Sequence, residues 1–549
     1  MPTEVRKWLT PAAWVAAVVA ALLAIFPLGF PNYDTIYALV WGRELAHGVS
    51  PDYGAALPPT PHPLADLLGL VTTPLGGGAI DVTMVIAYLS LGLVAYLVYR
   101  LGALWFDRPI GAVAAIFVLT RAPYLSNGLR AYVDLPYIAL VLGALLVETR
   151  RPRAGWPVLA LLIPAGLLRP EAWLFSFAYL AYLLVDPQEL LQRRRIARRS
   201  RAGTSECGGA SASRAESLHE TPEERVGMPL DPADTQKRGL IRPRFVGARG
   251  IPTRSLATLA LLAIAAPLLW ALFDWVTAGS PTYSFTGTQH TVETLARKTG
   301  PVDLVLYGPR ALGEVMQWPG MIGALGGVLI AAAILASRRK SLHFPHYDGE
   351  KIAIGLVAAA LALGAFALLA CAGLAIIARY TMLAGAILAI FVAFGLLGWR
   401  LLERGHPWRV AWQAFAAFLA LMFVVWIPNQ HDLLSQVDTD LTNQGRIESD
   451  LSDLAESGAF QPLCLPISVP NHRAVPRLAF DLEVRPSQIV SSSEQRQPRR
   501  GYFLEPASPF VIHNFILDPN DLSRFPAAHP PPGFRRVARN GSWVLYERC

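Results

Sequence analysis

Carboxylates and arginines recur in this chain at the ends of apolar runs. Asp34 follows the first run, in "FPNYDTIYALVWGRELAHG", and His62 stands in "PTPHPLADL". Arg130 and Asp134 share "SNGLRAYVDLPY", Arg169 and Glu171 share "LLRPEAW", and Arg379 and Tyr380 share "IIARYTM". A carboxylate can take a proton from an attacking hydroxyl as a general base. Arginines bind phosphate through charge-assisted, often bidentate hydrogen bonds. Ionisable residues at span ends that face a bundle interior are functional candidates, because burying them otherwise costs several kcal/mol.

Each has a plainer reading. Asp34 could be the N-cap of a helix over 35–47, and Asp134, two residues before Pro136, reads as an acid at a helix start. Arg169 and Glu171 could form an interfacial ion pair in a tight turn. Arg379 with Tyr380 could be a snorkelling anchor. His62 could be a loop hydrogen-bond partner rather than a metal ligand. What favours chemistry is that acids and arginines recur together at corresponding span ends.

Whether those ends share a side depends on topology. The 549 residues are 53% hydrophobic and only 16% charged, with a mean hydropathy of +0.37. Soluble domains carry about 25% charged residues. Apolar runs of about 20 residues, the length that crosses a bilayer, recur along the chain. The composition describes a polytopic membrane protein. The first run, "PAAWVAAVVAALLAIFPLGF", lacks a clear small-residue cleavage site and precedes further spans, so it reads as a retained helix. The net charge of +8 comes mainly from arginines in short loops. That is the positive-inside pattern of membrane topology, not a nucleic-acid footprint.

On that rule Met1 to Lys7 is cytoplasmic and about eleven spans follow within 1–428, the first near 10–29 and the last near 410–427. The segment from Pro31 to Asp81 carries one arginine, Arg43, against Asp34, Glu44, Asp52, Asp66 and Asp81, and reads as an outer loop. The ionisable span ends then converge on the outer face. The helix "TIYALVWGRELA" is expected to lie flat there, with Ile36, Tyr37, Val40 and Trp41 toward lipid or the bundle.

Residues 186–254 are rich in Arg, Ser, Gly, Glu and Pro without apolar periodicity, and read as a disordered basic cytoplasmic insertion. From residue 429 the character changes to a polar amphipathic helix, then β-like runs: "PLCLPISV", "SQIVSSS", "SPFVIHNFIL" and "SWVLYERC". The fold class is therefore a polytopic α-helical membrane protein with a small extracytoplasmic α/β domain over 429–549. Four cysteines make no disulfide framework and no CxxC site. Cys464 and Cys549 could pair if the tail lies outside.

Several of these stretches together resemble a known group. The acid soon after the first span, the helix ending in "HG" before "SPDYGAALPPTPHPL", and "AYVDLPYIALVLGALL" look like the GT-C superfamily of membrane glycosyltransferases. Within it the chain is similar to the bacterial branch related to the aminoarabinose and protein-mannosyl transferases. "LLRPEAW" and "ARYTMLAGAILAI" resemble outer span ends of that group. The likeness covers roughly 10–180, and 350–400 more loosely. The tail, ending "GFRRVARNGSWVLYERC", resembles the extracytoplasmic domain of actinobacterial members.

The resemblance implies a polyprenyl-phosphate sugar donor and inverting transfer, outside the cytoplasm, to an envelope glycan, lipid or protein. It also implies a place in the cell membrane and an acid of the first outer loop as catalytic base. That role carries over to Asp34, and a helper or acceptor-binding role to Asp134. Arg379 carries over as a donor-phosphate contact. Beside it, His62, Arg130, Arg169, Glu171 and Tyr380 are the candidate substrate-binding residues. Many members carry two adjacent acids in this loop, whereas here Asn32 and Tyr33 precede a single Asp34, so no metal or other cofactor is expected. The alternative is a transporter or flippase of a lipid-linked glycan, which would place ionisable groups near mid-bilayer and often show internal repeats.

Overall fold

The computed structural model describes residues 3–26, 28–185, 253–337, 348–461, 464–516 and 529–549. The expected insertion, 186–254, lies outside them except for its last two residues, which open a helix. The chain divides into a large unit, 1–178 with 261–549, and a small one, 179–260, whose described part is two helix ends.

Helices dominate because long apolar stretches satisfy their backbone internally without water. They are α1 Thr3–Ile25, α2 Tyr33–Ala46, α3 Pro63–Thr72, α4 Gly78–Trp105, α5 Arg108–Leu119, α6 Ala122–Leu129, α7 Asp134–Arg150, α8 Trp156–Leu168 and α9 Glu171–Leu184. After the undescribed stretch come α10 Thr253–Ala278, α11 Tyr283–Thr294, α12 Gly300–Ser337, α13 Gly349–Cys371, α14 Met382–Leu397, α15 Trp408–Val425, α16 Ile427–Glu456 and α17 Val475–Asp481.

Among the described residues, six helical segments are long and apolar enough to cross a membrane, or seven if α5 and α6, bent by 63°, count as one broken span. The expected count of eleven is not reproduced by length and composition. Pro11–Ile25, Trp156–Leu168 and Glu171–Leu184 are shorter apolar helices, and α7 is 17 residues long. Pro123 at the start of α6 accounts for the break in the third expected span, since it cannot continue the hydrogen-bond ladder of α5. Within α12, Gln317 takes a left-handed φ of 58° two residues before Pro319, and the helix kinks there.

The C-terminal region builds a five-stranded sheet in the order β2-β1-β3-β5-β4. Its strands are β1 Ile467–Val469, β2 Ile489–Ser491, β3 Gly501–Pro506, β4 Arg535–Arg539 and β5 Trp543–Arg548. β1 runs parallel to β2 and β3, whereas β5 is antiparallel to β3 and β4. Cys464 and Cys549 are disulfide-bonded, with Cα atoms 6.0 Å apart. One expected strand is corrected. The described part of "SPFVIHNFIL" is helical, Pro509–Val511 followed by a π turn over Ile512–Ile516, with Ser508 extended before a first-turn proline.

The second correction concerns α2. Its apolar residues Ile36, Tyr37, Val40 and Trp41 are fully buried in the core of the sheet domain, with Leu451, Tyr502 and Trp543 among their cluster. Burying two aromatics and two aliphatics removes far more apolar surface from water than lying at an interface would. Arg43 fastens the other end of α2, donating to the backbone carbonyls of Ala479 (2.8 Å) and Phe480 (2.9 Å) at the end of α17. α2 also meets α3 backbone to backbone. A Cβ at Gly42 would come within 2.3 Å of the Leu70 nitrogen, and one at Gly69 within 2.3 Å of the Ala38 oxygen. Only glycine permits that approach.

Candidate active site

The start of α2 is fixed by Asn32. Its side-chain oxygen accepts from the N–H of Asp34 (2.7 Å) and of Thr35 (3.3 Å), so Asn32, not Asp34, caps the helix. Its own N–H and amide both donate to the Arg130 carbonyl at 2.8 Å. Thr35 adds a hydroxyl bond of 2.7 Å to the Ala131 carbonyl. Three bonds thus tie the base of α2 to the α6–α7 loop. Capping by Asn32 leaves the Asp34 carboxylate free for other work.

That carboxylate reaches Arg379, with Oδ2 3.0 Å from the guanidinium. Arg379 sits on a 3-10 turn, Ala378–Thr381, that leads into α14. Its guanidinium lies 5.3 Å from the ring centre of Tyr132 and 5.6 Å from that of Tyr380. Burial pushes the Asp34 carboxyl up, but the charge and hydrogen bond of Arg379 outweigh it and hold the group below its ordinary value.

A second, deeper pair lies beside it. Arg169 binds the Asp134 carboxylate and has Glu171 at 4.0 Å, and all three side chains are at most 6% exposed. The Arg169 guanidinium also covers Tyr380, 4.8 Å from the ring centre, so one tyrosine touches both arginines. A single arginine here faces two carboxylates, and one oxygen of each acid has no hydrogen-bond partner.

Arg130 is held differently. It donates to the Gln444 amide oxygen (3.0 Å) and to the Ser126 hydroxyl, and stacks near Phe30. Among the described residues no carboxylate lies within ion-pair distance of it, so its charge is not neutralised by contact. His62, buried before α3, has its ring edge-on to Trp270 at 5.9 Å, and its Nδ1 has no partner. Burial first, then the nearby Arg169, push its imidazole down to about 3, so it is neutral.

These groups surround a cavity of about 930 Å³. Of the residues expected from sequence, Asp34, His62, Arg130, Arg169, Arg379 and Tyr380 line it. Asp134 and Glu171 do not; they are buried against Arg169. The sheet domain and α16 supply wall residues that the sequence reading did not single out: Asp440, Gln444 and Glu448 from α16, and His472 and Arg473 before α17. The α16 residues recur every fourth position, a polar stripe on one helix face that could have marked a wet surface. Tyr132, beside Arg379, carried no such signal.

The arrangement can present the ionised carboxylate of Asp34, the guanidinium of Arg130, which makes no ion-pair contact among the described residues, and the neutral imidazole of His62 to a common space. Asn32 is committed to capping, so Asp34 is the single carboxylate that the start of α2 offers there.

No family model matches the chain, and no curated protein matches it. Among solved structures it is similar to ArnT from Cupriavidus metallidurans bound to undecaprenyl phosphate, at 13% identity and a TM-score of 0.46 over 98% of each chain. It is also similar to the Archaeoglobus fulgidus oligosaccharyltransferase in the apo form, at 10% identity and a TM-score of 0.44, covering 91% of this chain and 70% of that one. A third is AglB from the same organism in complex with an inhibitory peptide and a dolichol-phosphate, at 11% identity and a TM-score of 0.42, covering 89% and 65%.

Proposed function

We propose that this chain is an integral membrane glycosyltransferase that moves a sugar from a polyprenyl-phosphate donor to an acceptor hydroxyl on the extracytoplasmic face. The observation that carries the reading is the cavity wall on which Asp34, paired with Arg379, shares a space with Arg130, a guanidinium without an ion-pair contact among the described residues. In the reaction, the acceptor oxygen bonds to the anomeric carbon as the bond from that carbon to the phosphate oxygen breaks, with inversion. The hydroxyl proton passes to Asp34, and the charge leaves on polyprenyl phosphate. Arg130 meets that phosphate as a charge-assisted donor.

Arg379 has two roles in this scheme. While it holds Asp34 it keeps the carboxylate ionised but weakly basic. Arriving phosphate competes for the guanidinium, and an Asp34 released from Arg379 becomes a better proton acceptor. Donor binding thereby readies the base. Asp134 and Glu171 act one step removed, by fixing Arg169 and through it Tyr380. The bond between Cys464 and Cys549 supports an oxidising location for the sheet domain, because such bonds persist outside the cytoplasm.

The test uses the full chain in liposomes, supplied with labelled polyprenyl-phosphate hexose or pentose and an envelope extract. Acceptor-dependent release of polyprenyl phosphate is expected for one of the two donors. Movement of intact label across the bilayer without release would instead indicate a flippase and end the transferase reading.

A further inference from the structure

A second cavity, of about 520 Å³, opens beside the first and shares Leu57, Pro58, Pro59, Thr60, Thr288 and Thr291 with it. Its walls are the proline-rich loop after Tyr53, helix α11, and Glu494 with Gln495 of the sheet domain. The two spaces differ in charge. The first has several arginines on its wall, whereas among the described residues no lysine or arginine lines the second, His290 is its one histidine and Glu494 its one carboxylate.

We infer that this second cavity is the acceptor subsite and that its ligand is a neutral carbohydrate, an inference that rests on the transferase reading above. Three features carry it. Tyr53 and Tyr283 form an aromatic surface at its rim, ring centres 4.8 Å apart and tilted by 31°, against which the C–H face of a sugar ring can pack. Tyr53 is braced from behind by Trp41, 4.9 Å away, so the platform is fixed to the α2 core. Hydroxyls are plentiful along the helix that carries Tyr283, with Ser284, Thr286, Thr288, Thr291 and Thr294 all on α11. Ser284 donates to Asp274, and Thr286 and Thr288 donate to carbonyls of their own helix, so these hydroxyls offer acceptor lone pairs to the O–H groups of a polyhydroxyl ligand.

The charge pattern selects among acceptors. A phosphorylated or acidic acceptor would be desolvated here with no lysine or arginine among the described residues to meet it and with Glu494 against it. Glu494 is itself held by His472 at 3.1 Å and by Ser491, so it is a fixed negative group. Where the cavities meet, the hydroxyls of Thr60 and Thr288 are hydrogen-bonded across the shared wall. A sugar hydroxyl entering between them can exchange for that bond and extend toward the space that Asp34 lines.

The test is binding to the purified full chain in detergent without donor, followed by saturation-transfer NMR and calorimetry. The probes are maltotetraose and mannotetraose, a monophosphorylated maltotetraose, and an octapeptide rich in serine and threonine. A neutral tetrasaccharide is expected to bind at least about tenfold tighter than the phosphorylated one or the peptide. Tyr283→Ala should weaken binding by about tenfold or more, and Tyr283→Phe should restore it. Tighter binding of the phosphorylated probe or the peptide, no binding of either neutral probe, or wild-type binding by Tyr283→Ala would overturn the assignment. Donor turnover is read separately. Saccharide binding with no acceptor-dependent turnover would sink the transferase reading, whereas turnover without saccharide binding would sink only the acceptor subsite.

Discussion

The carboxylate of Asp34 lies 3.0 Å from the guanidinium of Arg379, joining two residues 345 positions apart in the chain. The pair bridges the first turn of α2 and the turn before α14, and it sits on the wall of the main cavity. In the proposed scheme it makes Arg379 both a restraint on the base and a donor contact.

Arg379→Ala removes the group that depresses the Asp34 carboxyl, so the acid limb of the pH–rate profile should move to higher pH. The same variant should raise KM for the donor. The pair also contributes stability. Because the folded carboxyl lies below its unfolded value of about 3.9, that stability is present above this value and lost as pH falls through the folded one. Acid titration of unfolding in Arg379→Ala should lack this component. An unmoved acid limb would count against the coupling.

Arg169→Ala should behave as a structural lesion. It leaves Asp134 and Glu171 buried beside each other without a cation, a change that typically costs about 3–5 kcal/mol. Thermal unfolding in detergent should show a clearly lowered Tm, well beyond that of Asp34→Asn, whose partner is partly exposed. Equal Tm values for the two variants would contradict the placement of the deeper pair.

His62 is neutral throughout the physiological range, since burial holds its imidazole at about 3. The pH–rate profile should therefore have no His62 limb between about pH 5 and 8. His62→Ala should lower the rate without moving the acid limb. Its folded value lies below the unfolded value of about 6.5, so the wild type pays for a neutral buried ring as pH falls below that point, and the variant should lose less stability there.

Trp41 is 1% exposed and donates its indole N–H to the Asp52 carbonyl at 3.1 Å. Trp41→Ala should cost the sheet domain about 3–5 kcal/mol. Limited proteolysis should then cut within 464–549 well before it cuts the helical bundle. Unchanged protection would show that α2 is not part of that core.

Much of the site could be read from residue types at span ends. Asp34, His62, Arg130, Arg169, Arg379 and Tyr380 share one cavity, whereas Asp134 and Glu171, expected beside them, do not line it. The contact of Arg169 with Glu171 is legible from their adjacency, whereas the pairs Arg169–Asp134 and Asp34–Arg379 are not, because those partners lie far apart in the chain. Nor could the cap be assigned. Asn32 and Asp34 are both good caps two positions apart, and helix starts are ambiguous by that much. The apolar stripe of α2 suits lipid, a bundle or a soluble core equally, and only the fold chooses the last. β4, "RRVAR", hides because it is the edge of the sheet, where charged residues guard an unpaired strand. "SPFVIHNFIL" misleads in the other direction, with strand-forming residues whose leading Ser-Pro starts a helix instead.

The central claim is that Asp34 is the base. It is tested most directly by single-turnover transfer in liposomes, comparing wild type, Asp34→Asn and Asp34→Glu with the donor that supports turnover. Asp34→Asn should lose about 10²–10⁴-fold in the transfer step, with only a small fall in Tm and donor binding at least as tight as wild type, and Asp34→Glu should recover part of the loss. Transfer by Asp34→Asn at the wild-type rate would contradict the account.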